Sequence, residues 1–134
     1  MSTATKPAIY PTTTQNHNLL VAEDTPTNQA LILNQQKALG YSAYITKDGQ
    51  EALDKMTDHE YKLLLTDCNM PLIDGYELAK TIRASGNDKL PIIALTADAF
   101  PEKKSACLDA GMDGQITKPV DLETLKATLG KYLK

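Results

Sequence analysis

The sequence is poor in the residues that mark several classes of protein. It has no tryptophan, one phenylalanine and two cysteines, Cys68 and Cys107. Two cysteines without metal-ligand spacing argue against a zinc site or a disulfide scaffold, and they favour a reducing compartment. Lysine and arginine total 14 against 17 acidic residues, with no basic cluster. The net charge of -3 therefore argues against a nucleic-acid-binding function.

Long apolar runs are also missing. No stretch approaches the roughly 20 apolar residues of a membrane-spanning helix, and no signal-peptide hydrophobic segment is present. The composition predicts a cytoplasmic segment without membrane contact. Residues 1–17 are rich in threonine and nearly lack aliphatic side chains, so we expect a flexible linker or tail that cannot pack a core.

Short apolar runs alternate with helical patterns over residues 18–134. Near-continuous apolar runs are typical of parallel strands buried on both faces. Helix signals lie between them, such as Thr25 before Pro26 with Gly40 at the far end, and Asp48 three residues before Glu51. Five strands and five helices predict a single α/β domain. The predicted strands are LLVA, SAYIT, LLLTD, PIIALT and QIT.

Polar side chains with useful chemistry follow these apolar runs. Glu23 and Asp24 close the first run, Asp67 closes the third, Thr96 closes the fourth, and Lys118 follows the fifth. The carboxyl ends of parallel strands share one edge of a sheet, where ligands bind at the point of strand-order reversal. With strand order 2-1-3-4-5, Asp24 and Asp67 would face each other across that point.

Three converging carboxylates repel one another unless a cation joins them. Mg²⁺ suits such a site, because it takes oxygen ligands and combines one or two carboxylates with a phosphate oxygen. Asp67 is then the candidate nucleophile for an acyl phosphate, while Thr96 and Lys118 would surround the phosphoryl oxygens. An ionised aspartate needs no separate general base.

Four segments, in order and spacing, resemble the receiver domain of two-component response regulators over residues 18–134. They are LLVAED, LLLTDCNMPLIDG, IIALTA and AGMDGQITKP. The resemblance implies a flavodoxin-like fold, a doubly wound five-stranded parallel sheet of order 2-1-3-4-5 with five helices. It also implies a module that catalyses its own phosphorylation and dephosphorylation.

The resemblance further assigns roles to individual residues. Asp67 is expected to accept a phosphoryl group from a phosphohistidine. Asp24, Asp67 and the backbone carbonyl of Asn69 are expected to bind Mg²⁺, with Glu23 assisting through water. Thr96 and Lys118 carry over as phosphoryl ligands.

The resemblance also bears on the backbone after Lys118 and on three further side chains. The peptide between Lys118 and Pro119 is expected to be cis. Asn69 and Asp98 occupy positions at which the family tunes phosphate lifetime. Gln115 stands where many receivers have a Tyr or Phe that acts as a rotamer switch and couples to Thr96, so this chain departs from the family pattern at that position.

Two longer sequence segments indicate a subtype of receiver. The segments AEDTPTNQ and LTADAFPEKKSACLDAGMDGQITKPV look like receivers of hybrid sensor histidine kinases. That resemblance implies two partners, a histidine kinase phosphodonor domain and a histidine phosphotransfer domain. It also implies a cytoplasmic location, within the cytoplasmic part of a membrane-bound sensor kinase if the kinase is anchored. A free-standing single-domain response regulator is the alternative.

Other function classes leave different signatures. A phosphatase of the haloacid-dehalogenase type needs a second aspartate two residues after its nucleophile, and Asn69 occupies that position. A flavin-binding module on the same fold needs a phosphate cradle rich in Ser, Thr and Gly after strand one. Glu23 and Asp24 stand there instead and would repel a phosphate. A receiver-like binding module that is never phosphorylated would not need the full set of site residues.

Overall fold

The computed structural model describes residues 19–57, 60–97 and 101–133, apart from the side chain of Lys103. The predicted tail at 1–17 and Asp98 lie outside the described residues. Strands and helices alternate along the described chain. They are β1 (Leu19–Ala22), α1 (Pro26–Ala38), β2 (Ala43–Thr46), α2 (Gly49–Met56), β3 (Leu63–Asp67), α3 (Gly75–Ala84), β4 (Ile92–Thr96), α4 (Pro101–Asp109), β5 (Gly114–Thr117) and α5 (Leu122–Tyr132).

The strands form one parallel sheet of order β2-β1-β3-β4-β5, as predicted. β1 lies between β2 and β3, with Ala22 paired to Thr46 on one side and to Thr66 on the other. The chain order reverses between β1 and β3, so the segments that follow these two strands diverge. This divergence opens the crevice in which ligands of doubly wound sheets bind.

Successive side chains along the strands pack alternately into two hydrophobic cores, one on each face of the sheet. Leu20 and Leu64 pack with side chains of α2, α3 and α4, whereas Leu19 and Leu63 pack with side chains of α1 and α5. Every residue of β1, β3 and β4 is buried, which explains why these strands read as continuous apolar runs. Helices therefore cover both faces of the sheet beneath its carboxyl edge.

Helix starts follow the predicted signals with local differences. Asp48 caps α2 by accepting a hydrogen bond from the Glu51 amide at 2.8 Å. The Glu51 carboxylate in turn accepts a hydrogen bond from the amide of Lys47 at 2.8 Å, one residue before the cap. Thr25 is the N-cap residue of α1, but its side chain makes no capping bond. Its hydroxyl donates instead to Asp24 Oδ1 at 3.4 Å.

Element boundaries differ from the predictions by one residue. β2 begins at Ala43 rather than at the preceding serine, and α4 ends at Asp109 rather than at the following alanine. The chain leaves α1 and α4 through Gly40 (φ 86°) and Gly111 (φ 100°), where glycine adopts left-handed conformations at little cost. β5 begins at Gly114 and is confirmed as the fifth strand.

Candidate functional site

Three carboxylates converge at the carboxyl edge of the sheet. Glu23 and Asp24 directly follow β1, and Asp67 is the last residue of the adjacent strand β3. One oxygen from each side chain lies within 4.8 Å of the others. The predicted gathering of these residues at the strand-order reversal is therefore present in the structure.

The three carboxylates differ in exposure. Glu23 is completely buried, Asp67 is 7% exposed, and Asp24 lies open to solvent. The amide of Thr25 donates to Glu23 Oε2 at 3.1 Å, and the side-chain amide of Asn28 lies 3.5 Å from the same oxygen. The buried glutamate is thus held in place, while Asp24 faces solvent.

Lys118 is the positive charge of the site. Its ammonium nitrogen lies 3.0 Å from Asp67 Oδ2 and 3.1 Å from Glu23 Oε1. Burial alone would lower the pKa of Lys118, but its pairing with Asp67 and Glu23 outweighs burial and raises the pKa above its ordinary value. Lys118 is therefore charged at neutral pH. Its peptide bond to Pro119 is cis, as expected.

Thr96 and Asn69 complete the predicted set. Thr96 ends β4, is 5% exposed, and accepts a hydrogen bond from the Lys118 amide at its main-chain oxygen (2.7 Å). Asn69 is exposed, and its amide donates to Asp67 Oδ1 at 3.4 Å. Both residues lie at the same edge of the sheet as the carboxylates.

The site carries unbalanced negative charge. Three carboxylates and one ammonium group leave a formal charge of -2. Close like charges are unfavourable, and oxygen donors are the ligands of hard divalent cations. The donor set of Glu23, Asp24 and Asp67 therefore fits a divalent metal ion.

Gln115 lies where the family pattern often has an aromatic residue. It is half-buried in β5, and its Oε1 accepts a hydrogen bond from the thiol of Cys107 on α4 at 3.9 Å. Cys107 and Cys68 are both buried in the core beneath α2, α3 and α4. α4 and β5 are thus connected by a polar contact at this position.

Gly75 was not predicted from the sequence to be a site residue, although it packs against the end of β3 that carries Asp67. It opens α3, and its amide donates to the main-chain oxygen of Cys68 at 3.0 Å. A methyl group added at Gly75 would overlap the main-chain oxygen of Asp67. The absence of a side chain lets α3 approach the strand end that carries Asp67.

We expect Gly75→Ala to displace the end of β3 and to lower the free energy of unfolding by about 1–3 kcal/mol. The matched control is Gly130→Ala in α5, where an added methyl meets no described atom within 4 Å. That substitution should raise stability by up to about 1 kcal/mol through helix propensity. Urea denaturation of both variants measures the difference. Equal stabilities would contradict the close approach at Gly75.

Fold and site together define a class of protein. An open doubly wound sheet carries acidic side chains and one lysine at its strand-order reversal, an arrangement that suits metal-assisted phosphoryl chemistry. The family model for the response regulator receiver domain matches residues 19–130. The chain belongs to the response regulator receiver family, and its function is that of a receiver domain in two-component signalling.

Individual relatives agree with this family. The sensor histidine kinase RcsC of Salmonella typhimurium is 41% identical over 114 residues, which cover 85% of this chain and 12% of that kinase. The receiver domain of the sensor histidine kinase PA1611 from Pseudomonas aeruginosa was crystallised with a magnesium ion in its active-site cleft. It is 36% identical with a TM-score of 0.78, and the match covers 85% of this chain and 94% of that one.

A second similar structure contains a partner protein. It is the complex of the Saccharomyces cerevisiae histidine phosphotransfer protein Ypd1 with the receiver domain of the response regulator Ssk1. The match has 28% identity and a TM-score of 0.81, and covers 86% of this chain and 87% of that one. The chain itself spans only about an eighth of the RcsC sequence. Across the described ranges, no helix has the length and apolar character needed to cross a membrane.

Proposed function

We propose that residues 18–134 form a phosphoacceptor domain of a phosphorelay and that Asp67 receives the phosphoryl group. The observation that carries this proposal is the position of the Asp67 carboxylate. One of its oxygens pairs with Lys118 at 3.0 Å, and the side chain also lies within the acidic cluster of Glu23 and Asp24. Residues 1–17 are proposed to be a linker or tail.

The proposed transfer needs a nucleophile and neutralisation of charge. A carboxylate oxygen of Asp67 attacks phosphorus while the P–N bond of the phosphohistidine breaks, and the electron pair leaves with the imidazole nitrogen. Because the carboxylate is already ionised, no base has to remove a proton. The ammonium group of Lys118 and the hydroxyl of Thr96 stabilise the charge that spreads over the phosphoryl oxygens.

Glu23, Asp24 and Asp67, together with the backbone carbonyl of Asn69, are the proposed holders of Mg²⁺, with Glu23 acting through water. When bound, the ion neutralises negative charge on the phosphoryl oxygens. Two observations support Mg²⁺. The site has a formal charge of -2, and the PA1611 receiver has a magnesium ion in its cleft.

The proposed context is a hybrid sensor histidine kinase. The support is the similarity to RcsC and to the PA1611 receiver, since both belong to sensor histidine kinases. In this context a histidine kinase domain donates the phosphoryl group and a histidine phosphotransfer domain receives it. The Ssk1 receiver, which binds Ypd1, supports the second partner. The proposed location is cytoplasmic, within the cytoplasmic part of a membrane-bound sensor kinase if the kinase is anchored.

The full chain should be phosphorylated by phosphoramidate, a small donor whose P–N bond resembles that of phosphohistidine. Intact mass spectrometry should show a gain of one phosphoryl group with MgCl₂ and a much smaller gain with EDTA. Hydroxylamine should remove the group, because acyl phosphates react with it and phosphate esters of Ser or Thr do not. No gain, or a gain that resists hydroxylamine, would contradict the proposed function.

A further inference from the structure

Two consecutive glutamines on α1 make different hydrogen bonds. Gln35 is half-buried, and its Nε2 donates to the main-chain oxygen of Val120 at 2.8 Å, across 85 positions of sequence. Gln36 is 2% exposed, and its Nε2 donates to the Leu33 oxygen of its own helix at 3.0 Å. Gln35 alone of this pair connects α1 to a distant segment.

The segment that Gln35 contacts carries Lys118. It runs from the end of β5 at Thr117 to the start of α5 at Leu122. At its start, the Lys118 amide donates to the Thr96 oxygen at 2.7 Å. At its end, Asp121 caps α5 by accepting a bond from the Thr124 amide at 2.7 Å. The bond from Gln35 to Val120 lies between these two, so it fixes the part of the segment next to Lys118.

Packing alone does not explain a glutamine at position 35. Its Oε1 is buried and accepts no hydrogen bond from the described residues. A buried acceptor without a partner costs free energy, whereas an apolar side chain of similar length would avoid that cost. What the amide contributes at this position is its N–H donor, which holds the carbonyl of Val120.

The same helix also holds the acidic side of the site. Gln29 Nε2 donates to the main-chain oxygen of Glu23 at 2.6 Å. α1 therefore contacts the segment of Glu23 through Gln29 and the segment of Lys118 through Gln35. α1 thus contacts both chain segments that carry the paired charges, whose atoms lie 3.1 Å apart.

We infer that Gln35 is a positioning residue for phosphoryl transfer, because it holds the segment that places Lys118 against Asp67. This inference rests on the proposed function and adds a residue that does not touch the reacting atoms. Displacement of a charge-stabilising group by about 1 Å slows transfer strongly. A displaced Lys118 still carries its charge beside the carboxylates, so the Mg²⁺ dissociation constant should change far less than the rate of transfer.

The test compares Gln35→Met with Gln36→Met in the full chain. Both substitutions remove one amide donor and one buried, unpartnered Oε1 from α1. Gln35→Met should lower the rate of phosphorylation by phosphoramidate about tenfold, with at most a small change in the Mg²⁺ dissociation constant. Gln36→Met should retain the wild-type rate. Gln35→Lys keeps a donor at this position and should recover part of the lost rate.

Melting temperatures separate positioning from general damage to the fold. They should change similarly in Gln35→Met and Gln36→Met, because each loses one hydrogen bond and one buried acceptor. A wild-type rate in Gln35→Met, or an equal loss of rate in Gln36→Met, would overturn the inference while leaving the proposed function intact. Failure of the wild-type chain to accept a phosphoryl group would overturn both.

Discussion

Asp67→Asn should abolish phosphorylation, with a loss of at least about a thousandfold in rate. The amide has nearly the same shape as the carboxylate but lacks the negative charge that makes the oxygen a nucleophile. Because Lys118 keeps its contact with Glu23 Oε1, the fold should persist. Intact mass after incubation with phosphoramidate and MgCl₂ measures the effect, and circular dichroism confirms folding.

The control for this experiment is Asp88→Asn. Asp88 is exposed in the segment between α3 and β4, away from the carboxyl edge of the sheet. The Asp88→Asn substitution removes one negative charge, as Asp67→Asn does, and should leave phosphorylation unchanged. A folded Asp67→Asn protein that still gained a hydroxylamine-sensitive phosphoryl group would show that another carboxylate is the acceptor.

Lys118→Met should slow phosphoryl transfer by about 10²- to 10³-fold, the usual cost of removing one fixed charge-stabilising group. Methionine approximates the length of the side chain and removes the ammonium group. Without metal, the variant leaves Glu23 and Asp67 without their cation. The free energy of unfolding should then fall by about 1–3 kcal/mol, less than for a fully enclosed pair because 21% of the Lys118 side chain is exposed.

The response to Mg²⁺ distinguishes this effect from misfolding. With Lys118 removed, the formal charge of the cluster changes from -2 to -3, so Mg²⁺ should bind more tightly even though transfer is slower. Calorimetric titration with MgCl₂ tests this. The control, Lys80→Met on the exposed side of α3, should change neither property. Weaker metal binding together with slower transfer in Lys118→Met would contradict the assigned role.

Much of the fold follows from local sequence signals. β1, β3 and β4 are buried on both faces and therefore appear as unbroken apolar runs, while Gly40 and Gly111 mark helix ends through their left-handed backbone. In a parallel sheet, side chains after such strands share one edge. The convergence of Glu23, Asp24 and Asp67 therefore follows from the order and position of the apolar runs.

Other features depend on contacts between distant parts of the chain. The close approach of Gly75 to the end of β3 depends on the path of the preceding loop. The bond from Gln35 to Val120 joins residues 85 positions apart, and an adjacent glutamine makes a different bond. The different exposures of Glu23 and Asp24 also arise from backbone direction at the end of β1, and residue type alone does not determine them.

The most direct test of the account locates the phosphoryl group on the chain. The protein is incubated with phosphoramidate and MgCl₂ and then treated with borohydride, which reduces an acyl phosphate so that the aspartate becomes homoserine. Peptide mass spectrometry then identifies the altered residue. We expect homoserine at position 67, and little conversion when EDTA replaces MgCl₂. Homoserine at position 24, or modification elsewhere with Asp67 unchanged, would contradict the assignment of Asp67 as the phosphoacceptor.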